Sequence, residues 1–245
     1  MSVARLSIVV PAYNESRRLP PSLEKILAWC RAQSFTCEIV VVDDGSSDGT
    51  AGVAREALSG TVHQVIVHER NRGKGAGLKT GMTAARGDFV LMTDADLSTP
   101  IEEASRFLAV HEQDVPIVIG TRKAKGANVI RRQAALRERM GRVFTWLSNV
   151  LVCPGVTDFT CGFKCFRADA CREIFSRLRE EGWAYDTEVL YLARRLGFAF
   201  REVPVSWTND PSTRVRLLRD AVGSVAGLLR IRSRALAGRY RLPQR

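Results

Sequence analysis

Long hydrophobic runs are what this sequence most clearly lacks. No stretch of about 18 apolar residues, the length that a membrane-spanning helix requires, occurs in its 245 residues. The N-terminus does not resemble a signal peptide, and the six cysteines include no CxxC pair. We therefore expect a cytoplasmic protein with reduced thiols and no transmembrane span.

Common nucleotide-binding and nucleic-acid-binding motifs are also missing. The segment NRGKGAG, residues 71–77, is neither a GxxxxGKS/T Walker loop nor a GxGxxG fingerprint. The formal charge of +11 indicates an anionic partner, and nucleic acid, a phosphate-bearing substrate or an acidic membrane surface would each satisfy it. Because no recognised nucleic-acid-binding motif occurs, we do not expect nucleic acid to be the partner.

The composition is that of an ordinary globular protein, with 45% hydrophobic and 26% charged residues. Over the first hundred residues, strand and helix patterns alternate. The apolar runs LSIVVPA, EIVVVDD, VHQVIVH and FVLMTDAD are separated by predicted helices at residues 19–32, 50–58 and 76–85. This alternation predicts a Rossmann-like, doubly wound α/β fold, whose mostly parallel sheet is covered by helices on both faces.

The second half of the chain has a looser pattern. We predict short strands at PIVIG and GFKCF and a longer one at AFREVPVSW, residues 199–207. The predicted helices are residues 101–110, 131–151, 168–178 and 187–196.

Polar residues collect at the predicted carboxyl ends of the first four strands, where ligands bind in such sheets. They are Tyr13, Asn14, Glu15, Asp43, Asp44, residues 71–74, Asp94 and Asp96. Four loops should therefore converge on one rim of the sheet.

Asp94 and Asp96, in TDADLSTP, are candidates for a metal site. Two carboxylates this close repel each other unless a cation lies between them. Ser98 or Thr99 is expected to cap the next helix, so capping does not account for the aspartates. Hard oxygen ligands favour Mg²⁺ or Mn²⁺, with water and substrate phosphates completing the shell. The pair predicts a metal bound together with a diphosphate.

Two further loops have polar residues suited to a nucleotide. Lys74 and the backbone amides around it precede a helix, so they are candidates for contact with phosphate oxygens. Asp43 and Asp44 either cap the following helix or, because Ser46 or Ser47 can do so, accept hydrogen bonds from a base or ribose.

Taken together, PAYNE, VDDGSSDGT, NRGKGAG and DADLSTP resemble the inverting family 2 glycosyltransferases with a GT-A fold. DFTCGFKCF, WAYDTEVLYLARRLG and EVPVSW followed by STR resemble the branch that moves a sugar from a nucleotide to a polyprenyl phosphate, as dolichyl-phosphate glucosyltransferases and mannose synthases do. The likeness covers residues 6–219. It implies a single catalytic GT-A domain over residues 1–211, followed by a basic segment over residues 212–245.

The resemblance implies roles for individual residues. The nucleoside would be held by Pro11, Tyr13, Glu15, Asp43 and Asp44. Asp94 and Asp96 would bridge the donor diphosphate through the metal, with Lys74 beside them. Arg214 matches a basic residue that neutralises the leaving diphosphate. Ser98 stands where mannose synthases often have Gln, which favours the glucosyltransferase pattern and leaves a third protein ligand unassigned.

The acceptor is expected to be a phosphate. A phosphate monoester, with a second pKa of about 6, is largely dianionic at pH 7 and needs no general base. Cations must position it instead, and the candidates are Arg122, Arg131 and Arg132. Asp186 and Glu188 either orient the sugar hydroxyls or begin a helix; with Asp96 and Arg214 they complete the candidate catalytic set.

The favoured function is therefore transfer of glucose from UDP-glucose to a polyprenyl phosphate. Three alternatives stay open: a GDP-mannose-dependent enzyme, transfer to an alcohol acceptor with the base that this requires, and a non-enzymatic basic module that binds nucleic acid.

The C-terminal segment has the pattern of a basic amphipathic helix. Leu218, Val222, Val225 and Leu229 recur at helical spacing among many arginines. Such a helix lies naturally on an anionic membrane, where each arginine contributes about 1 kcal/mol. It alternatively packs on the domain and leaves a solvated basic tail. The first reading predicts a peripheral enzyme on the cytoplasmic face of a membrane.

Overall fold

The computed structural model describes residues 4–210 and 217–240. Its strands are β1 (Leu6–Ala12), β2 (Cys37–Asp43), β3 (His63–Val67), β4 (Phe89–Met92), β5 (Ile117–Thr121), β6 (Asn128–Arg131), β7 (Lys164–Arg167), β8 (Phe200–Pro204) and β9 (Ser206–Thr208). Its helices are α1 (Leu19–Arg31), α2 (Thr50–Ala57), α3 (Lys74–Ala84), α4 (Glu103–His111), α5 (Ala135–Leu151), α6 (Ala168–Arg177), α7 (Tyr185–Leu196) and α8 (Leu217–Leu236).

The main sheet has the strand order β3-β2-β1-β4-β7-β5-β8. Alternate residues of its central strands enter two different cores, because successive side chains of a strand point to opposite faces. Ile8 and Val10 pack with α1, α2 and α4, whereas Val9 packs with α3, α6 and α7. The predicted doubly wound α/β fold is confirmed.

Strands β1 to β4 are adjacent and parallel, so their carboxyl ends share one edge of the sheet. The next strand, β7, is antiparallel to both β4 and β5. Lys164 at the start of β7 is thereby paired with Met92 at the end of β4. The reversal places the beginning of β7 at the same edge as the ends of the parallel strands.

The largest errors in the predicted extents affect two elements. The helix predicted from Arg131 begins at Ala135, because residues 128–131 form β6 and pair with β9 in a separate two-stranded sheet. The single strand predicted over residues 199–207 is divided into β8 and β9. β8 ends at Pro204, which has no N–H to donate to a ladder, and the chain then joins the other sheet.

Helix α8 packs on the domain through one side only. Leu228 and Ile231 are fully buried against Ala184 and, from α5, Phe144 and Leu147. Val222 and Leu229 are exposed. In the described part of the chain, no helix combines the length and apolar character needed to cross a membrane.

Candidate active site

A cleft of about 920 Å³ opens at the carboxyl edge of the parallel strands. One end of it, the carboxylate end, is lined by Lys74, Asp94, Asp96 and Asp186. The other end runs between α5 and α8. Of the four predicted loops, the structure thus brings the 71–77 loop and the 94–98 loop together at one site.

Asp94 is held from two sides. Lys74 Nζ donates a hydrogen bond of 2.5 Å to Asp94 Oδ1. The backbone of Gly162 lies so close that a Cβ at that position would sit 2.2 Å from Asp94 Oδ2. Burial alone would raise the pKa of Asp94, but Lys74, together with Lys164 and Arg122, outweighs it and keeps the pKa below its ordinary value. Asp94 is therefore a carboxylate with cationic side chains around it.

Asp96 sits in a tight turn beside Asp94. Its Oδ1 accepts the N–H of Ser98 at 2.9 Å, and Leu97 between them has a φ of +46°, which is rare for a bulky residue. Burial and the neighbouring Asp94 raise the pKa of Asp96. Repulsion of this kind is what a bound cation would relieve.

The carboxylate oxygens of Asp94 and Asp96 are ligands that suit a hard divalent ion. Asp94 and Asp96 both face the cleft, and no group of three or more His, Cys, Asp and Glu side chains placed to hold a metal ion occurs among the residues described. Mg²⁺ and Mn²⁺ commonly take one or two carboxylates and complete their shells with water and phosphate oxygens. Asp94 and Asp96 therefore fit such an ion together with a diphosphate.

A buried lysine that the sequence analysis missed lies behind this pair. Lys164 is fully buried, and its ammonium donates to Phe159 O at 3.0 Å, to Cys161 O at 2.6 Å and to Asp186. It thus fixes the loop that carries Gly162 and pairs with Asp186, one of the predicted catalytic residues. Burial nevertheless raises the pKa of Asp186, although Lys164 and Lys74 act against the shift.

Glu188, the other acid in WAYDTE, does not line the cleft. It is fully buried, and its carboxylate accepts the N–H groups of Arg179 and Glu180 and the hydroxyl of Tyr240. These contacts give Glu188 a structural role in this fold.

The two aspartates at the end of β2 organise loops. Asp43 accepts the N–H of Ser46 at 2.9 Å. Asp44 accepts the N–H of Gly73 at 2.7 Å and that of Arg72 at 3.0 Å, and it pairs with His68. Both carboxylates are nearly inaccessible, at 2% and 4% exposure. Asp44 thereby positions the loop that leads to Lys74.

The remaining predicted nucleoside-binding residues lie at and beyond the end of β1. Tyr13 is 42% exposed, and Pro11 lies beside Gly77 of α3. Glu15 forms two short hydrogen bonds with Arg18, which also contacts Asp210. Glu15 therefore links the loop after β1 to the last residues before the undescribed segment 211–216. Arg214 falls within that segment, outside the described residues.

The arginines predicted to hold a phosphate are in different situations. Arg122 is paired with buried Asp158 through two hydrogen bonds of 2.7 and 2.8 Å, and its guanidinium lies 5.2 Å from the ring of Trp207. Arg122 and Arg132 both line the cleft, whereas Arg131 is the last residue of β6 and does not.

A further arginine of the cleft, Arg137 in the first turn of α5, was not predicted. It forms no ion pair with any described residue. Partial burial and the nearby Arg122 lower the pKa of Arg137, whereas Asp96 acts in the opposite direction. Arg137 therefore lies within electrostatic range of both Arg122 and Asp96.

The sequence of this chain is similar to that of known glycosyltransferases. The family described as glycosyl transferase family 2 matches residues 7–175. A dolichyl-phosphate beta-glucosyltransferase from Dictyostelium discoideum is 32% identical, over 97% of this chain and 76% of that protein. One from Homo sapiens is 33% identical, over 98% of this chain and 78% of that protein.

The fold also matches solved structures. Glucosyl-3-phosphoglycerate synthase from Mycobacterium tuberculosis, in complex with Mn²⁺, UDP-glucose and phosphoglyceric acid, superposes with a TM-score of 0.69. It is 19% identical, and the match covers 98% of this chain and 81% of that one. At this identity the likeness shows a shared fold.

Proposed function

Because the chain belongs to glycosyl transferase family 2, we propose that it transfers glucose from UDP-glucose to a polyprenyl phosphate such as dolichyl phosphate. The observation that carries the proposal is the cleft itself. Its carboxylate end has the chemistry to hold a metal and a diphosphate, and the opposite end combines arginines with apolar residues. The two relatives named dolichyl-phosphate beta-glucosyltransferase support this choice of sugar and acceptor.

At the carboxylate end, Asp94 and Asp96 would hold Mg²⁺ or Mn²⁺. A divalent ion, when bound there, would stabilise the negative charge that develops on the departing nucleoside diphosphate. Lys74, 2.5 Å from Asp94, is close enough to neutralise the same charge. We include Arg214 in this group on the family resemblance.

On the acceptor side, arginines rather than a base are the groups required. A phosphate monoester is already largely dianionic at pH 7. Arg122, Arg132 and Arg137 line the cleft, and Asp158 holds Arg122 in place. An alcohol acceptor would need a free base, and Asp186, the acid best placed for that task, is already bonded to Lys164. This engagement favours the phosphate over the alcohol.

The lipid chain would leave the cleft along α5 and α8. Among the described side chains of the two helices, the exposed apolar ones are Leu136, Val143, Trp146, Val150, Val222, Val225, Leu229 and Leu236. Arg139, Arg142 and Arg230 of the same helices add positive charge. Such a surface suits an anionic membrane, so we propose that the enzyme is peripheral and works at the cytoplasmic face.

The test is release of nucleoside diphosphate from a panel of UDP- and GDP-sugars, with Mg²⁺ or Mn²⁺ and with or without a short polyprenyl phosphate. We expect release that requires the lipid, is fastest with UDP-glucose and is lost in Asp96→Ala. Preference for GDP-mannose would contradict the assigned donor, and release that is independent of the lipid phosphate would contradict the assigned acceptor.

A further inference from the structure

The start of helix α3, which carries Lys74, is completed by a distant segment of the chain. The first N–H groups of a helix lack partners within the helix, and no side chain caps α3. The carbonyl oxygen of Glu181 instead accepts the N–H of Gly75 at 2.8 Å and that of Ala76 at 3.3 Å. Residues 179–185, here called the support segment, thus hold the start of α3 in place.

This contact leaves almost no space. A Cβ at Gly75 would lie 2.3 Å from the carbonyl oxygen of Glu180, and one at Gly73 would lie 2.5 Å from that of Glu181. The rings of Trp183 and Tyr185, in the same segment, lie 5.6 and 5.9 Å from Lys74 Nζ. Any displacement of the support segment must therefore displace Lys74.

Helix α8 in turn holds the support segment. Glu180 is only 3% exposed, and its carboxylate accepts hydrogen bonds from Arg230 at 2.9 and 2.7 Å and from Arg234 at 2.9 Å. Removing an arginine leaves charge on the buried Glu180 carboxylate less well compensated, which is destabilising.

We propose that Glu180 is a positioning residue for the carboxylate end of the cleft, where the diphosphate would bind. By binding Arg230 and Arg234, it fixes the support segment and thereby sets the position of Lys74. The inference rests on the proposed function for the role of Lys74 at the diphosphate. Helix α8 also carries exposed apolar residues. The contact of Glu180 with α8 therefore links the position of this helix on the domain to the binding of the donor.

The experiment compares Glu180→Gln and Arg230→Gln with a matched control, Glu38→Gln. Glu38 is also nearly buried, at 3% exposure, and accepts hydrogen bonds from Ser7 and Gln64, but it lies in β2 at the opposite edge of the sheet. Two quantities are measured on the full chain: amide hydrogen exchange of the peptide spanning residues 73–78, and the affinity for UDP with Mn²⁺.

We expect both test variants to exchange about tenfold faster in this peptide and to bind UDP about tenfold more weakly, because the partner of the Gly75 and Ala76 amides is no longer fixed. Glu38→Gln should lower the melting temperature without either change. Arg230→Gln keeps the Arg234 contact, so it remains folded if Glu180→Gln does not.

Exchange within twofold of wild type in both test variants, or the same increase in Glu38→Gln, would overturn the proposal. A wild-type protein that fails to bind UDP with Mn²⁺ would contradict the proposed donor. The exchange rates would still decide whether Glu180 holds the start of α3.

Discussion

At the scale of single residues, Asp94 depends on a close backbone approach as much as on charge. Lys74 contacts one of its oxygens, and Gly162 packs against the other. Lys164 fixes the loop that brings Gly162 to this position by bonding to two of its carbonyl groups. The geometry of the carboxylate is therefore set in part by Lys164, which does not itself line the cleft.

Gly162→Ala should strongly reduce donor use while the protein stays folded. The new methyl group would lie 2.2 Å from Asp94 Oδ2, so the carboxylate must move. Displacement of a catalytic group by about 1 Å costs about 100-fold in rate, and we expect kcat/KM for UDP-glucose to fall by that order. Gly52→Ala, on a helix face with no atom within 4 Å of the new Cβ, is the control. Near-normal activity of Gly162→Ala would show that Asp94 is not needed in its present position.

The sequence allowed Asp94, Asp96 and Lys74 to be predicted because each follows an apolar strand or a glycine-rich loop. Lys164 and Arg137 were missed for different reasons. Lys164 lies inside an apolar strand, and only the antiparallel pairing of β7 shows what it faces. Arg137 is one of several arginines along α5, and periodicity alone does not show which of them points into a cleft.

At the scale of elements, α5 and α8 form the apolar and basic surface beside the cleft. The helical spacing of Val222, Val225 and Leu229 was visible in the sequence, and α8 is present. The bounds of α5 were not predictable from periodicity, because residues 128–131 gain more by pairing with β9 than by extending the helix. Tertiary pairing of this kind overrides local preference.

The double variant Val222→Ser with Leu229→Ser should weaken binding to anionic lipid vesicles. The two side chains are 72% and 56% exposed, and burial of one aliphatic side chain is worth about 1.5–3 kcal/mol. We expect the affinity for the vesicles, measured by co-sedimentation, to fall by about tenfold or more. Val62→Ser, which changes an exposed valine beside β3, should have no effect. Equal binding by the double variant and wild type would exclude this face of α8 as the membrane contact.

At the scale of the whole molecule, the charged groups that shape the cleft also contribute to global stability. Asp158 is fully buried and paired with Arg122. Burial would raise the pKa of Asp158, but the Arg122 guanidinium reverses the effect and lowers it to about 2, from an ordinary value of 3.8. The pair therefore stabilises the fold fully above the ordinary pKa and loses its contribution as the pH falls toward 2.

The difference in unfolding free energy between wild type and Asp158→Asn should accordingly depend on pH. From the two pKa values, we expect the difference to shrink by about 1 kcal/mol between pH 6 and pH 3. Urea unfolding at several pH values measures it. If the difference in unfolding free energy stays constant over this range, the contact with Arg122 does not lower the pKa of Asp158.

The most direct test of the central claim compares two acceptors that differ only in the phosphate. The purified 245-residue chain is given UDP-glucose labelled in the sugar, with Mg²⁺ or Mn²⁺, and either a polyprenyl phosphate or the polyprenol of the same length. We predict labelled lipid with the phosphate and none with the alcohol, because the cleft offers arginines to an anion and Asp186, the candidate base, is already bonded to Lys164. Transfer to the alcohol at a comparable rate, or no transfer to the phosphate, would contradict the account.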